Sequence, residues 1–203
     1  IVRIDTSGSV RVDLLGGTLD LNPINLILPN VVTLNLATSR KAKVKLAQID
    51  FDGVEIISRD YNSTERFKSS EFTRSNLNNG HFGKLTFMCQ ILDLFEVHRG
   101  LSIELESGSP PGAGLGGSSA MGVTFFSALA QYKKIPLDRI KAIRQVNSIE
   151  ARILDSGPAG YQDYYPALFG GVLALLPEIG DIKVEQLFDH SLKSYLENHL
   201  TLV

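Results

Sequence analysis

Pro110-Pro111-Gly112-Ala113-Gly114-Leu115-Gly116-Gly117-Ser118-Ser119-Ala120 sets four glycines within six residues. Before it, Leu101–Glu106 alternates Leu, Ile and Leu with Ser, Glu and Glu, the pattern of a strand with one wet face. After it, Ser118–Tyr132 is rich in Ala, Phe and Leu and reads as a helix. Glycines in such a junction let backbone N–H groups turn inward and approach an anion closely. The helix that follows adds its free N–H groups and the positive end of its dipole. Ser118 and Ser119 stand where a hydroxyl meets a phosphate or its metal. A flexible turn with an N-capping serine is the plainer alternative. The glycine density and the paired serines favour a phosphate loop.

Known phosphate loops narrow the choice. A Walker A motif is excluded, because no Gly-Lys-Ser/Thr follows. Gly112, Gly114 and Gly117 satisfy the dinucleotide spacing G-x-G-x-x-G, but the preceding strand carries Glu104 and Glu106. A first strand buried on both faces of a parallel sheet would not. The second strand that this fold requires is also missing, since Pro136–Leu154 reads as a helix.

Outward from the loop, the first fifty residues read as strands at Ile1–Ile4, Ser9–Leu15, Val31–Ala37 and Ala42–Ile49. Ala42, Val44 and Leu46 alternate with Lys41, Lys43 and Lys45, and Val54–Ser58 is a further short strand. Arg59–Asn79 is polar and predicts an exposed loop. Gly83–Arg99 has apolar residues at helical spacing and contains Cys89, a core position rather than a catalytic thiol. Pro136–Leu154 predicts a second helix with Pro and Asp in its first turn, ended by Ser156-Gly157-Pro158. Gly170–Leu176 is a strand candidate, with weaker elements at Val184–Phe188 and Ser191–His199. The fold class is α+β, strands gathered early and helices in the middle.

Three carboxylates stand out. Ile140, Ile143, Val146, Ile153 and Leu154 define the apolar face of the second helix, and Glu150 projects near its middle. A glutamate there needs a cation, hydrogen bonds or a metal. A salt bridge and a metal site both satisfy that need, and the nearby phosphate loop favours Mg²⁺. Asp163 lies in a loop flanked by glycine and aromatics, and Asp20 follows Gly16-Gly17-Thr18-Leu19. Taken alone, either aspartate is an ordinary turn former.

The 203 residues are 43% hydrophobic and 21% charged, with mean hydropathy +0.05, as in a soluble globular chain. A net charge of −2 removes the electrostatic case for nucleic acid. No apolar run approaches the ~20 residues of a membrane helix. One cysteine excludes an internal disulfide and a multi-cysteine zinc site, which fits a reducing, cytoplasmic setting. Ile1 is not an initiator methionine, no leader pattern precedes the first strand, and Leu200–Val203 reads as a strand cut off in progress. The expectation is a fragment of a longer protein.

Taken together, these residues resemble the GHMP kinases, the superfamily of galactokinase, homoserine kinase, mevalonate kinase and phosphomevalonate kinase. Pro110–Ala120 is similar to that family's Pro-x-x-x-Gly-Leu-Gly-Ser-Ser loop, and Arg11–Asp20 to its N-terminal substrate motif. Gly16-Gly17 before the aspartate, Ile149-Glu150, Gln162-Asp163 and Phe169-Gly170-Gly171 are similar to the sugar-1-kinase branch, the heptose-phosphate and fucose kinases. The resemblance runs from about residue 3 to about residue 175.

It implies a ribosomal-protein-S5-like α+β domain spanning 1–203, the N-terminal half of a two-domain kinase. It also implies transfer of the ATP γ-phosphate to a hydroxyl of a sugar or sugar phosphate. Pro111, Gly112, Ala113, Gly114, Leu115, Gly116, Gly117, Ser118 and Ser119 would wrap the ATP phosphates. Gly117 takes the first serine position of the motif, so Ser118 and Ser119 are both candidates to join Glu150 in holding Mg²⁺. Asp163 would accept the proton of the attacking hydroxyl. Arg11 would lie beside it, lower its pKa and neutralise charge in the transition state. Gly17, Thr18 and Asp20 would contact the sugar. A mevalonate-type kinase, or a homologue that senses nucleotide and sugar without turnover, are the alternatives. Oligomeric state is not legible.

Overall fold

A computed structural model describes residues 3–21, 23–28, 30–110, 112–154, 160–178, 181–187 and 189–201. Period-2 alternation dictates a sheet of seven strands: β1 (Arg3–Leu15), β2 (Thr33–Gln48), β3 (Gly53–Ser58), β4 (Ser63–Lys68), β5 (Leu101–Glu106), β6 (Val172–Glu178) and β7 (Asp181–Gln186). The strand order is β4-β3-β5-β2-β6-β7, with β1 paired to β2 off this path. All pairings are antiparallel except β3 with β5. The long β2 therefore organises the sheet, meeting β5 through Lys43–Gln48 and β6 through Thr33–Leu36.

Among the described residues seven α-helices accompany the sheet: α1 (Ile24–Ile27), α2 (Arg74–Asn78), α3 (Thr86–Leu94), α4 (Gly117–Tyr132), α5 (Arg139–Leu154), α6 (Tyr165–Phe169) and α7 (His190–His199). Of these, α3, α4 and α5 cover one of its faces. The core forms where Ala42, Val44, Leu46, Ile56, Ile103 and Leu105 of the sheet meet α3, α4 and α5. The opposite face keeps the charges. Lys43 and Lys45 of β2 stand beside Glu106 and Glu104 of β5, at 3.2 and 3.7 Å. Such exposed pairs contribute ~0–1 kcal/mol each and mainly fix register. Among the described residues no helix is long and apolar enough to cross a membrane.

The α+β class stands, and several boundaries move. Ser9–Leu15 joins the described part of Ile1–Ile4 in one strand; Ile1 and Val2 lie outside the described residues. Val31–Ala37 and Ala42–Ile49 likewise merge into β2. Its polar middle stays in register contact because the Thr38 hydroxyl donates to the Val10 carbonyl at 3.0 Å. Arg59–Asn79 is not one loop. It holds β4, a turn of 3-10 helix at Ser69–Glu71, and α2. β4 is polar because it is an outer strand: Phe67 packs on the core, while Arg66 reaches Glu55 at 2.6 Å.

The helix expected over Gly83–Arg99 is 3-10 at Gly83–Leu85 and α-helical only to Leu94. α5 starts at Arg139, after Pro136, and Asp138 caps it by accepting from the Lys141 N–H at 3.0 Å. Ile153 and Leu154 are exposed rather than on the buried face. α6 occupies part of a stretch read as loop. Leu200 and Thr201 are not in a strand, and Leu202, Val203, Phe188 and Ser156-Gly157-Pro158 lie outside the described residues.

α4 is buried nearly all round because it lies between the sheet and its two helical neighbours. At Gly122 a Cβ would fall 2.6 Å from Phe87 Cζ of α3 and 2.7 Å from Val146 Cγ1 of α5. The missing side chain is what lets these three helices close. Gly122→Val should therefore destabilise by about 1–3 kcal/mol through overpacking. A lowered urea midpoint with an unchanged slope checks this, and an unchanged midpoint would mean the helices have room to part.

Candidate active site

Where β5 ends, the chain turns through residues 112–116 into α4. Gly112, Gly114 and Gly116 have φ of +78°, +70° and +68°, left-handed values that a glycine adopts without strain. A Cβ on Gly112 or Gly114 would meet nothing within 4 Å, so the space beside the loop is open. A Cβ on Gly116 would instead fall 2.9 Å from Asp163 Cγ. The loop is thus open on its ligand side and closed against the carboxylate. A cleft of about 460 Å³ runs along it, reached also by Ser119, Glu150 and Asp163. That size and a concave, partly polar lining suit a small molecule.

Arg11 ties the loop to Asp163. The register between β1 and β2 shifts between Ser9 and Arg11. Val10 faces the core, while the Arg11 N–H donates to the Leu115 carbonyl at 3.2 Å. The guanidinium, 8% exposed, reaches Asp163 Oδ1 at 2.6 Å and Asp13 Oδ2 at 3.0 Å. Its third contact is the Gly114 carbonyl. One buried cation is shared by two carboxylates and the glycine loop.

The expected lowering of the Asp163 pKa does not hold. Burial raises it, Arg11 pulls it down, and Asp13, Asp20 and Glu150 push it up again, leaving it at about 6. Burial also raises Asp13, against the pull of Arg11. Desolvation and crowded like charge outweigh one ion pair.

Glu150 is 7% exposed, and hydroxyls satisfy it among the described residues. Ser119 Oγ donates to its Oε2 at 2.8 Å, and Tyr164 Oη donates to the same oxygen at 2.5 Å. Ser119 is the serine turned toward Glu150; Ser118 is exposed on the cleft. No group of three or more His, Cys, Asp or Glu among the described residues is arranged to hold a metal. A divalent cation here would lean on one carboxylate, the Ser119 hydroxyl and the oxygens of a bound phosphate, a donor set that suits Mg²⁺.

Asp20, beyond the β1 end, is 3% exposed. Its Oδ2 accepts from the N–H groups of Tyr161 (2.5 Å) and Gln162 (2.8 Å), while its Oδ1 is buried without a partner among the described residues. An unpaired buried carboxylate oxygen is costly, and a substrate hydroxyl would satisfy it. Thr18, at φ +74°, donates its backbone N–H to Gln162 Oε1 at 3.1 Å. A Cβ on the adjacent Gly17 would lie 3.4 Å from Asp13.

The structure thus lines one cleft with the loop from Gly112 to Ser119, Glu150 and Asp163. Arg11 joins it through Asp163, while Gly17, Thr18 and Asp20 lie off that lining, against Asp13 and the turn at Tyr161 and Gln162. Pro111 lies outside the described residues. Cys89 is fully buried on α3, with its thiol pushed up by burial, and takes no part. Four residues escaped the sequence reading. Asp13 was visible inside the Arg11–Asp20 motif, and Tyr164 beside Asp163. Tyr61 and Lys84, whose ammonium sits 4.7 Å from the Tyr61 ring centroid at the cleft, carried no local signal.

Residues 84–171 match the family described as GHMP kinases N terminal domain. D-glycero-alpha-D-manno-heptose 7-phosphate kinase of Campylobacter jejuni is 30% identical over 173 residues, 83% of this chain and 49% of that protein. Mevalonate kinase of Saccharolobus solfataricus is 30% identical over 89 residues, 44% of this chain and 28% of that protein. This chain therefore spans about half the length of the first relative, or less for the second. In three dimensions, a D-glycero-D-manno-heptose 1-phosphate kinase from Bacteroides thetaiotaomicron superposes with a TM-score of 0.77 at 22% identity. That match covers 94% of this chain and 61% of the other. The chain carries a GHMP kinase N-terminal domain.

Proposed function

We propose that the protein is an ATP-dependent kinase that transfers the γ-phosphate to a hydroxyl of a sugar phosphate, with a heptose phosphate as the leading class. The observation that carries this reading is the shared guanidinium of Arg11. It sets the candidate base Asp163 against the glycine loop in one cleft. The C. jejuni heptose 7-phosphate kinase supports the acceptor class over mevalonate-type acids, since its similarity covers 83% of the chain against 44%. The reading treats residues 1–203 as the nucleotide- and substrate-binding domain of that kinase.

Roles follow from the chemistry. The N–H groups of residues 112–119 and the start of α4 would hold the ATP phosphates. Ser119 and Glu150 would hold Mg²⁺, which when bound neutralises phosphate charge. Asp20 would accept a hydrogen bond from a sugar hydroxyl through Oδ1 and fix the acceptor. Asp163 would take the proton of the attacking hydroxyl onto a carboxylate oxygen. A pKa of about 6 leaves it mostly ionised at neutral pH yet basic enough to receive that proton. Arg11 would remain charged throughout and stabilise the negative charge between loop and base.

Mg²⁺-dependent ADP release by the full-length gene product, run against a panel of sugars, sugar phosphates, mevalonate and homoserine, tests the reading. Stimulation by a sugar phosphate is the expected outcome. ATP binding with no release across the panel would favour the sensor alternative. Asp163→Asn should cut turnover by about 10²–10⁴-fold while leaving ATP affinity intact. Retained turnover would remove Asp163 as the base.

Two pH effects follow. Turnover should fall as the pH drops through about 6, where Asp163 takes up a proton. Stability should move the other way. The native pKa of about 6 lies above the ordinary 3.8, so the folded state holds the proton more tightly. Ionised Asp163 then costs stability above that range, and the cost disappears once both states are protonated. Asp163→Asn should melt higher than the parent at neutral pH, and this advantage should vanish below about pH 4. Melting curves across the range check the sign.

A further inference from the structure

Tyr164 belongs to no role assigned so far. It is 0% exposed, follows the candidate base directly in the chain, and its Oη meets Glu150 Oε2 at 2.5 Å. Ser119 Oγ donates to that same oxygen at 2.8 Å. Three separate elements converge there: α4 through Ser119, α5 through Glu150, and the turn into α6 through Tyr164.

A glutamate ends in a carboxylate that rotates about its last bond, and one flexible hydroxyl does not fix that rotation. A phenol held by a fully packed ring does, because its direction is set by only two side-chain torsions. With Oε2 taken by both hydroxyls, Oε1 is the oxygen left to offer to a cation. Ser119 spends its single proton on Glu150 and keeps its lone pairs.

Resting on the kinase reading above, we propose that Tyr164 is a positioning residue for the divalent cation. Its hydroxyl orients the Glu150 carboxylate, and its peptide bond to Asp163 ties the metal position to the base. An aromatic that served packing alone would leave cation affinity unchanged when its hydroxyl is removed.

The test uses the full-length gene product with a non-hydrolysable ATP analogue and Mn²⁺ as the probe, free Mn²⁺ being read by electron paramagnetic resonance. Tyr164→Phe should weaken Mn²⁺ affinity by about 10-fold or more, the loss usual for a partner that orients a metal ligand. Affinity for the analogue without metal should be unchanged. Glu150→Gln should weaken Mn²⁺ binding to the analogue complex further, down to the affinity the analogue's phosphates supply alone. If Tyr164→Phe binds Mn²⁺ like the parent while Glu150→Gln does not, the positioning role is overturned and the metal assignment stands. If Glu150→Gln also binds like the parent, the metal assignment itself fails and takes the inference with it.

A second measurement avoids dependence on the folding of the phenylalanine variant. Tyr164→3-fluorotyrosine keeps the ring and hydroxyl, and its fluorine resonance should move on addition of Mg²⁺ to the analogue complex. A resonance that stays still at saturating Mg²⁺ overturns the proposal.

Discussion

Burying a guanidinium is costly unless opposite charge and acceptors surround it, and Arg11 draws three parts of the chain to itself. Asp13 comes from its own strand, the Gly114 carbonyl from the loop before α4, and Asp163 from the turn before α6. Take the cation away and two half-buried aspartates face each other, with Asp20 and Glu150 close enough to add to the repulsion. The loop would lose its side-chain anchor on β1 and keep only the Arg11 N–H bond to the Leu115 carbonyl. Charge compensation, rather than apolar packing, therefore sets the shape of the cleft. The apolar core beneath it supplies the rigidity.

Glu150 poses the same problem and receives a different answer. Among the described residues two hydroxyls, those of Ser119 and Tyr164, meet it. Hydroxyls satisfy an anion without neutralising it, so the carboxylate keeps its charge for something else. The two acidic centres differ in this way: Asp163 is held by a cation, Glu150 by neutral donors. A site that must move a proton at one carboxylate and hold a cation at another needs that difference.

Much of this was legible in the chain itself. The glycine loop, the misplaced glutamate on α5 and the alternation of Lys41, Lys43 and Lys45 with Ala42, Val44 and Leu46 are local patterns. Local patterns survive folding when periodicity decides burial. The joining of β1 from two pieces was not legible, because a register shift and the Thr38 bond to Val10 carry it, and both need the neighbouring strand. β4 was hidden by its own polarity, which suits an outer strand but reads as loop. The pKa of Asp163 was misjudged for a related reason. A sequence names the cation beside it but not the depth of burial or the three carboxylates gathered around it. Tyr61 and Lys84 meet at the cleft from separate elements, and no spacing along the chain announces such a pair.

The two ends of the strand path carry a further consequence. β4 offers Glu65, Arg66 and Lys68, and β7 offers Asp181, Lys183 and Glu185, so each outermost strand interrupts its apolar residues with charges of both signs. An unpaired strand edge is a template for any extended chain that drifts past. Adding a strand from another molecule would press these charges against a foreign backbone and strip them of water. The same polarity that disguised β4 as a loop thus guards these two edges against pairing with a foreign strand.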